Sequence, residues 1–188
     1  MASAARSLPA DPWAAIHQPH VPLVIEPGAA PAAPWVDDLL RRAPNAWRAS
    51  GPADTIADAL PDAPEPLRAI IADLASRFAA LMDTRYVSVR VEAVDGNACT
   101  RVHADYTDVR LILTLAGPGT EHLAGDDPSA PVQQLAAGHI GLFKGRTYPG
   151  AAAGRHAPCL HRSPPIAESG IRRLVLVIDT AGPDGPDG

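Results

Sequence analysis

The sequence is poor in aromatic residues, in cysteine and in clustered charge, and most of these shortages exclude something. Aromatic residues make up only 4% of the chain. Two cysteines, Cys99 and Cys159, make no disulfide framework, and neither belongs to a C-x-x-C pair, so a reducing cytoplasm is the expected compartment. The 16 Lys and Arg against 21 Asp and Glu leave a net charge of -5 with no basic cluster, which argues against a nucleic-acid partner. No apolar run approaches a membrane span. The first residues make a poor signal peptide, because Arg6 is the only charge before Asp11 and Pro9 and Pro12 interrupt the apolar stretch. There is no internal repeat. What is plentiful is proline and glycine: 21 and 15 among 188 residues predict turns and loops rather than a helical bundle, in a chain that suits one domain.

Residues 1–34 are rich in Ala and Pro, so irregular structure is expected there, with at most one short strand at Val21–Ile25. The Gly-Pro-Asp repeats of 181–188 read as a frayed tail. Between them, 35–180 forms the expected single domain, helical over 35–84 and β over 85–180. Val36, Leu39 and Leu40 have helical spacing, which Pro44 ends; Asp54 is placed to cap a short helix through Leu60. Pro66 suits the first turn of a longer helix in which Leu67, Ile70, Ile71, Leu74, Phe78 and Leu81 recur at three and four. From Tyr86 to Val94 the period becomes two, as in a half-buried strand. Strands are also predicted at 109–115, 139–144 and 172–178, with shorter ones near 120–123, 132–136 and 159–162. Helices first and strands after, without β-α alternation, favour an α+β fold with an antiparallel sheet or barrel.

The segment that carries chemistry is Arg101-Val102-His103-Ala104-Asp105-Tyr106. On extended chain, positions i and i+2 face one side, so His103 and Asp105 can aim at a single point. A third donor, His161, lies 58 residues downstream, and two imidazoles with a carboxylate suit Fe(II) while leaving coordination positions open. The competing reading of the first pair is a hydrogen-bonded His–carboxylate pair at a barrel rim, and of His161 a turn histidine before Ser163-Pro164-Pro165. Arg110 opens an apolar strand, where a buried ion pair with Glu92 or Asp108 competes with substrate binding. Lys144 is either a carboxylate anchor or a solvated strand end. Thr120 and Glu121 either line the mouth or form a turn and an edge strand. Cys99 reads as a small buried residue rather than a soft ligand. His17, His20 and His156 are expected in solvent.

His103-Ala-Asp105, Arg110-Leu-Ile-Leu-Thr114, Gly117-Pro-Gly-Thr-Glu121, Gly141-Leu-Phe-Lys144-Gly145, His161-Arg-Ser-Pro-Pro165 and Arg173-Leu-Val-Leu-Val-Ile-Asp179 occur in an order that resembles a bacterial family known as domain of unknown function 1826. More loosely, they resemble the iron/2-oxoglutarate oxygenases. The resemblance covers roughly 86–180. It implies a double-stranded β-helix, a cupin-like jelly roll, with the helices packed on its sheet, and a metal at His103, Asp105 and His161. It also implies an arginine one strand beyond the distal histidine that grips 2-oxoglutarate. Arg173 is the first choice and Arg172 the alternative, since adjacent strand residues face opposite sides. Against the resemblance, His122 stands where an aromatic is expected and His139 where an acid is, which leaves a second metal open.

The expected activity is a non-haem Fe(II) oxygenase using 2-oxoglutarate on a small-molecule or peptide substrate. Two alternatives stand beside it. One is a cupin-like metalloprotein with the same triad and no 2-oxoglutarate, with zinc as the competing metal, acting as an isomerase, a dioxygenase or a metal-handling protein. The other is a binding module without metal. Exposed barrel edges are compatible with a homodimer.

Overall fold

The computed structural model describes residues 11–123 and 129–183, so part of the N-terminal segment and most of the expected tail lie outside the described residues. A 3-10 turn at Pro12–His17 leads to strand β1 (Leu23–Glu26), helix α1 (Pro34–Leu40) and strand β2 (Asn45–Pro52). A second 3-10 turn, Ile56–Ala59, precedes helix α2 (Glu65–Leu81). Seven strands follow: β3 (Tyr86–Val94), β4 (Val109–Ala116), β5 (Glu121–Leu123), β6 (Val132–Gln134), β7 (Ile140–Lys144), β8 (His161–Arg162) and β9 (Arg173–Thr180).

Helix α2 begins as expected, with Pro66 in the first turn, where the missing N–H costs nothing. Its buried residues Leu67, Ile71, Leu74, Ala75 and Phe78 form one stripe, while Ile70 and Leu81 lie at its margin. That stripe packs on a six-stranded antiparallel sheet of order β1-β7-β4-β9-β3-β2. Val89 and Val91 of β3, Leu111 and Leu113 of β4, and Leu176 and Ile178 of β9 meet the helices there. A second core, with Ile112, Phe143, Val175 and Val177 against Leu135 and Cys159, fills the other face. Over that face lies a three-stranded sheet, β6-β5-β8.

Strands β4 and β9 are therefore covered on both faces, which is why they read as continuous apolar runs. Strand β3 alternates because its second face carries Ser88, Arg90 and Glu92 toward the space between the sheets. Two facing antiparallel sheets with helices on the outer side make the expected double-stranded β-helix with N-terminal helices.

The short strand expected at Val21–Ile25 is β1, which pairs with β7 and closes one edge of the large sheet. Two expectations for the N-terminal half are corrected. Residues 45–52, expected in a helical stretch, form β2, an edge strand on β3. Its Ala, Ser and Gly carry little strand propensity, and only Trp47 and Ala49 reach the helix-side core, so the pairing with β3 decides its conformation. Asp54 caps nothing: Thr55 precedes the Ile56–Ala59 turn, and no side-chain bond caps it. No helix is long and apolar enough to cross a membrane.

Candidate metal centre

Strand β3 ends at Val94 and β4 begins at Val109, so His103 sits in a long crossing rather than at a strand end. The crossing is pinned to the 159–167 segment. The Asn97 side chain accepts from the backbone N–H groups of Ile166 and Ala167, at 2.8 and 3.0 Å, and Ser163 N donates to Cys99 O at 2.8 Å. His103 and His161 face each other across an antiparallel bridge and exchange both backbone hydrogen bonds, at 3.0 and 2.8 Å. Their rings lie 4.7 Å apart, and that of His161 also rests 4.9 Å from Phe143.

The ring tautomers follow from second partners. His103 Nδ1 lies 2.8 Å from Arg101 O, and His161 Nδ1 lies 3.1 Å from Cys159 O. A carbonyl only accepts, so each Nδ1 carries the proton and each Nε2 offers a lone pair. Both Nε2 atoms turn to Asp105: His103 Nε2 is 3.5 Å from Oδ1, and His161 Nε2 is 3.0 Å from Oδ2. The three donor heads lie within 4.8 Å of one another, and this is the single such group of His, Cys, Asp and Glu among the described residues. Asp105 Oδ2 is buried and makes no hydrogen bond. Two lone pairs facing at 3.0 Å repel unless a cation lies between them. A metal satisfies the pair and uses the carbonyl-tethered imidazoles as metal-binding histidines ordinarily are used.

Burial pushes the Asp105 carboxyl up, but its contacts with His161, Arg110 and His103 outweigh this and hold it at about 2. Asp105 is thus ionised at any ordinary pH. Arg110 secures it: Nη1 reaches Asp105 Oδ1 at 2.7 Å, while Nε and Nη2 grip the two oxygens of Asp179, each at 2.8 Å. Strand register makes this contact, because Arg110 stands opposite Asp179 in the β4–β9 pair. Burial lowers the Arg110 pKa, and the two carboxylates more than restore it.

The open side of the triad faces a cavity of about 260 Å³, lined among others by Arg90, Arg110, Ile112, Thr120, Arg173 and Val177. That is slightly below the ~300–1,000 Å³ of drug-sized pockets, so it suits a small ligand. Arg173 is 2% exposed. Its Nε donates to Pro118 O at 2.6 Å and its Nη2 to Thr120 Oγ1 at 3.3 Å, and it makes no ion pair among the described residues. Burial without a partner charge brings its pKa down to about 10. The loop that supplies these acceptors has no spare room, since a Cβ on Gly119 would lie 1.6 Å from Leu135 O.

The remaining candidates divide. Thr120 lines the cavity beside Arg173. Arg172 does not reach it: exposed on the other face of the strand end, it donates to Leu40 O at 3.3 Å. Lys144 points to the helix side, neither solvated nor in the site; its Nζ donates to Gln18 O at 2.8 Å and lies 4.6 Å over the Tyr148 ring. Register explains both, since Lys144 pairs with helix-facing Val109 while Phe143 pairs with Arg110. Glu121 is engaged by Arg162 at 2.6 Å and does not line this cavity. The partners expected for Arg110 are otherwise occupied: Glu92 pairs with Arg48 and Arg90, and Asp108 accepts from Val109 N and Thr180 Oγ1. Cys99 is exposed rather than buried, 3.6 Å from His103 Nδ1. His17 bonds Tyr148 Oη at 2.8 Å, and the ring of His156 packs 4.9 Å from that of Tyr148. His122 is buried opposite His161 in β5–β8, and burial lowers its pKa. Neither His122 nor His139 joins a second group of metal donors among the described residues.

Sequence reasoning missed Asp179, the anchor of Arg110, and the pair Arg48 and Arg90. One signal existed for Asp179: it is the single acid at the end of an otherwise apolar strand.

Comparison with known proteins adds three findings. The rice dioxygenase for auxin oxidation superposes with a TM-score of 0.60 at 13% identity, over 92% of this chain and 78% of that one. The Arabidopsis thaliana dioxygenase for auxin oxidation 1, solved as its 2-oxoglutarate binary complex, superposes with a TM-score of 0.51 at 16% identity, over 76% and 66%. The shared fold is the double-stranded β-helix of these oxygenases. No curated protein matches the sequence. The model of the family described as "Protein of unknown function (DUF1826)" matches residues 14–179.

Proposed function

This chain belongs to the DUF1826 family, and from its donor set we propose that it is a non-haem Fe(II) oxygenase that takes 2-oxoglutarate as co-substrate. The observation that carries the reading is one cavity holding two kinds of unmet demand. Two imidazole Nε2 atoms and a carboxylate oxygen converge within 4.8 Å of one another, and a buried arginine with no carboxylate partner among the described residues lines the same space.

His103, Asp105 and His161 hold the metal on one face and leave the cavity side open. Bound there, iron together with 2-oxoglutarate supplies the oxidising chemistry. The chain does the rest. The carbonyls of Arg101 and Cys159 keep both imidazoles in the ligating tautomer. Arg110 holds Asp105 ionised and in place. Arg173, with Thr120 beside it, receives the far carboxylate of the co-substrate, and a guanidinium keeps free N–H groups for it after donating to Pro118 O and Thr120 Oγ1. Val94, opposite Arg173 in the β3–β9 pair, and Val175 make that end of the cavity apolar, which strengthens these charge contacts.

The test is calorimetry on anaerobic protein. One equivalent of Fe(II) is expected, with 2-oxoglutarate bound only when metal is present. The variants H103A and H161A lose both, and R173Q loses 2-oxoglutarate but keeps metal. Metal-independent 2-oxoglutarate binding, or none at all, rejects the proposal. A second reading, a cupin-like metalloprotein without 2-oxoglutarate, draws on the fact that Arg173 already has two acceptors of its own. One equivalent of zinc indifferent to 2-oxoglutarate would select it.

A further inference from the structure

Resting on the oxygenase reading, a substrate class follows from the charges that reading leaves unused. Arg110 is matched by two carboxylates and Arg162 by Glu121. Glu92, by contrast, is shared by two guanidinium groups. Arg48 Nη2 is 3.1 Å from Glu92 Oε1, and Arg90 Nε is 3.5 Å from the same oxygen without forming a hydrogen bond; that Nε is buried and has no hydrogen-bond partner among the described residues.

One carboxylate between two arginines leaves a surplus positive charge. The strands make the surplus more conspicuous, because Arg48 and Arg90 are directly opposite in the β2–β3 pair. Like charges in that position weaken a sheet. Arg90 has a third neighbour in register, Val177 of β9, an apolar wall of the metal cavity. Arg90 lines that cavity together with His103 and His161, and with Arg110 it also lines an adjoining open groove of about 410 Å³ that includes Arg48 and Ser88. Across the sheet from Arg90, Val177 of β9 and then Ile112 of β4 follow in register, and both line the cavity.

We propose that the substrate is a small organic acid whose anionic head, a carboxylate or a phosphate monoester, is held by Arg90 with Arg48 beside it, while its apolar part lies along Val177 and Ile112 toward the metal ligands. The head group meets the Nη groups of Arg90, which make no hydrogen bond among the described residues, in a partly desolvated groove where a charge-assisted hydrogen bond is stronger than a neutral one. The apolar strip then sets the distance between the recognised head and the carbon presented to the metal ligands.

The experiment titrates hexanoate, hexyl phosphate and hexanamide into Mn(II)-loaded protein saturated with 2-oxoglutarate. At least one anion is expected to bind about tenfold or more tightly than the neutral amide, the worth of one charge-assisted hydrogen bond. The tighter anion identifies the head group. R90Q abolishes the preference while leaving 2-oxoglutarate affinity unchanged. R48Q, at an exposed edge-strand position that cannot unfold the sheet, reduces it about threefold. Equal affinity for acid and amide, no binding of either anion, or a preference that survives in both variants overturns the proposal. Failure of 2-oxoglutarate to bind the metal-loaded wild-type protein counts instead against the oxygenase reading.

Discussion

Replacing Arg110 with Gln removes one cation from between two carboxylates. The side chains of Arg110, Asp105 and Asp179 are 18%, 12% and 19% exposed, so solvent screens little of the interaction. Exposed ion pairs contribute ~0–1 kcal/mol, whereas stripping one partner from a buried pair costs ~3–5 kcal/mol because the charge left behind stays desolvated. The second figure applies here, and with ~2–4 °C per kcal/mol for a chain of this size the melting temperature should fall by roughly 6–20 °C. Urea unfolding followed by circular dichroism measures the free-energy loss, and a thermal scan measures the shift in melting temperature. In the wild type, burial raises the Asp179 pKa against the pull of Arg110. Without Arg110 only the charge of Arg90 opposes that rise, so the folded state of the variant binds a proton more readily than the unfolded chain. Its stability then falls as pH rises, and the deficit is largest at neutral pH and shrinks toward acid. In the double variant R110Q/D179N one of the two orphaned charges is gone, so the loss should be less than the sum of the two single losses. Metal affinity should fall by ~10–100-fold, as it does when an outer partner of a ligand is removed. A loss under ~1 kcal/mol, or strict additivity of R110Q and D179N, would refute the account of a buried hub.

Two further outcomes follow from thiol burial and loop packing. Cys159 is buried and its thiol is pushed up to about 12, first by desolvation and then by the charge of Asp105, while Cys99 is exposed. A thiol reagent at pH 8 should therefore label one cysteine quickly and the second only in denaturant; two fast equivalents would contradict the burial. Gly119→Ala drives a Cβ into Leu135 O and must shift Thr120, whose carbonyl accepts from Leu135 N at 2.8 Å. Calorimetry should show weakened 2-oxoglutarate binding with metal binding retained, and unchanged affinity for both would show that Thr120 does not support Arg173.

Residues whose environment is set locally were legible in the sequence. Helix α2 announced itself through a stripe of spacing three and four, and β3 through alternation, because each needs only one covering layer. The pairing of His103 with Asp105 was legible because an i, i+2 relation survives in any extended backbone. What was not legible depends on register between distant strands. That Arg110 meets Asp179 rather than Glu92 or Asp108 is decided by the alignment of β4 with β9, 69 residues apart. The turns of Arg173 into the cavity and of Lys144 to the helix side are decided in the same way. Strand β2 was illegible because its small residues favour no conformation until β3 offers its edge.

The bridge between His103 and His161 has a consequence for metal choice. Because two peptide hydrogen bonds hold these residues together, the spacing of the imidazoles is set by the main chain before any ion arrives. A pocket built in advance discriminates poorly among divalent ions of similar radius, whose intrinsic preference for nitrogen and oxygen donors rises from manganese through iron to copper. Such a centre takes whichever ion is supplied, so loading with the right element becomes a matter of relative abundance and order of encounter. Protein purified aerobically from a zinc-rich medium is expected to carry zinc with its fold unaltered.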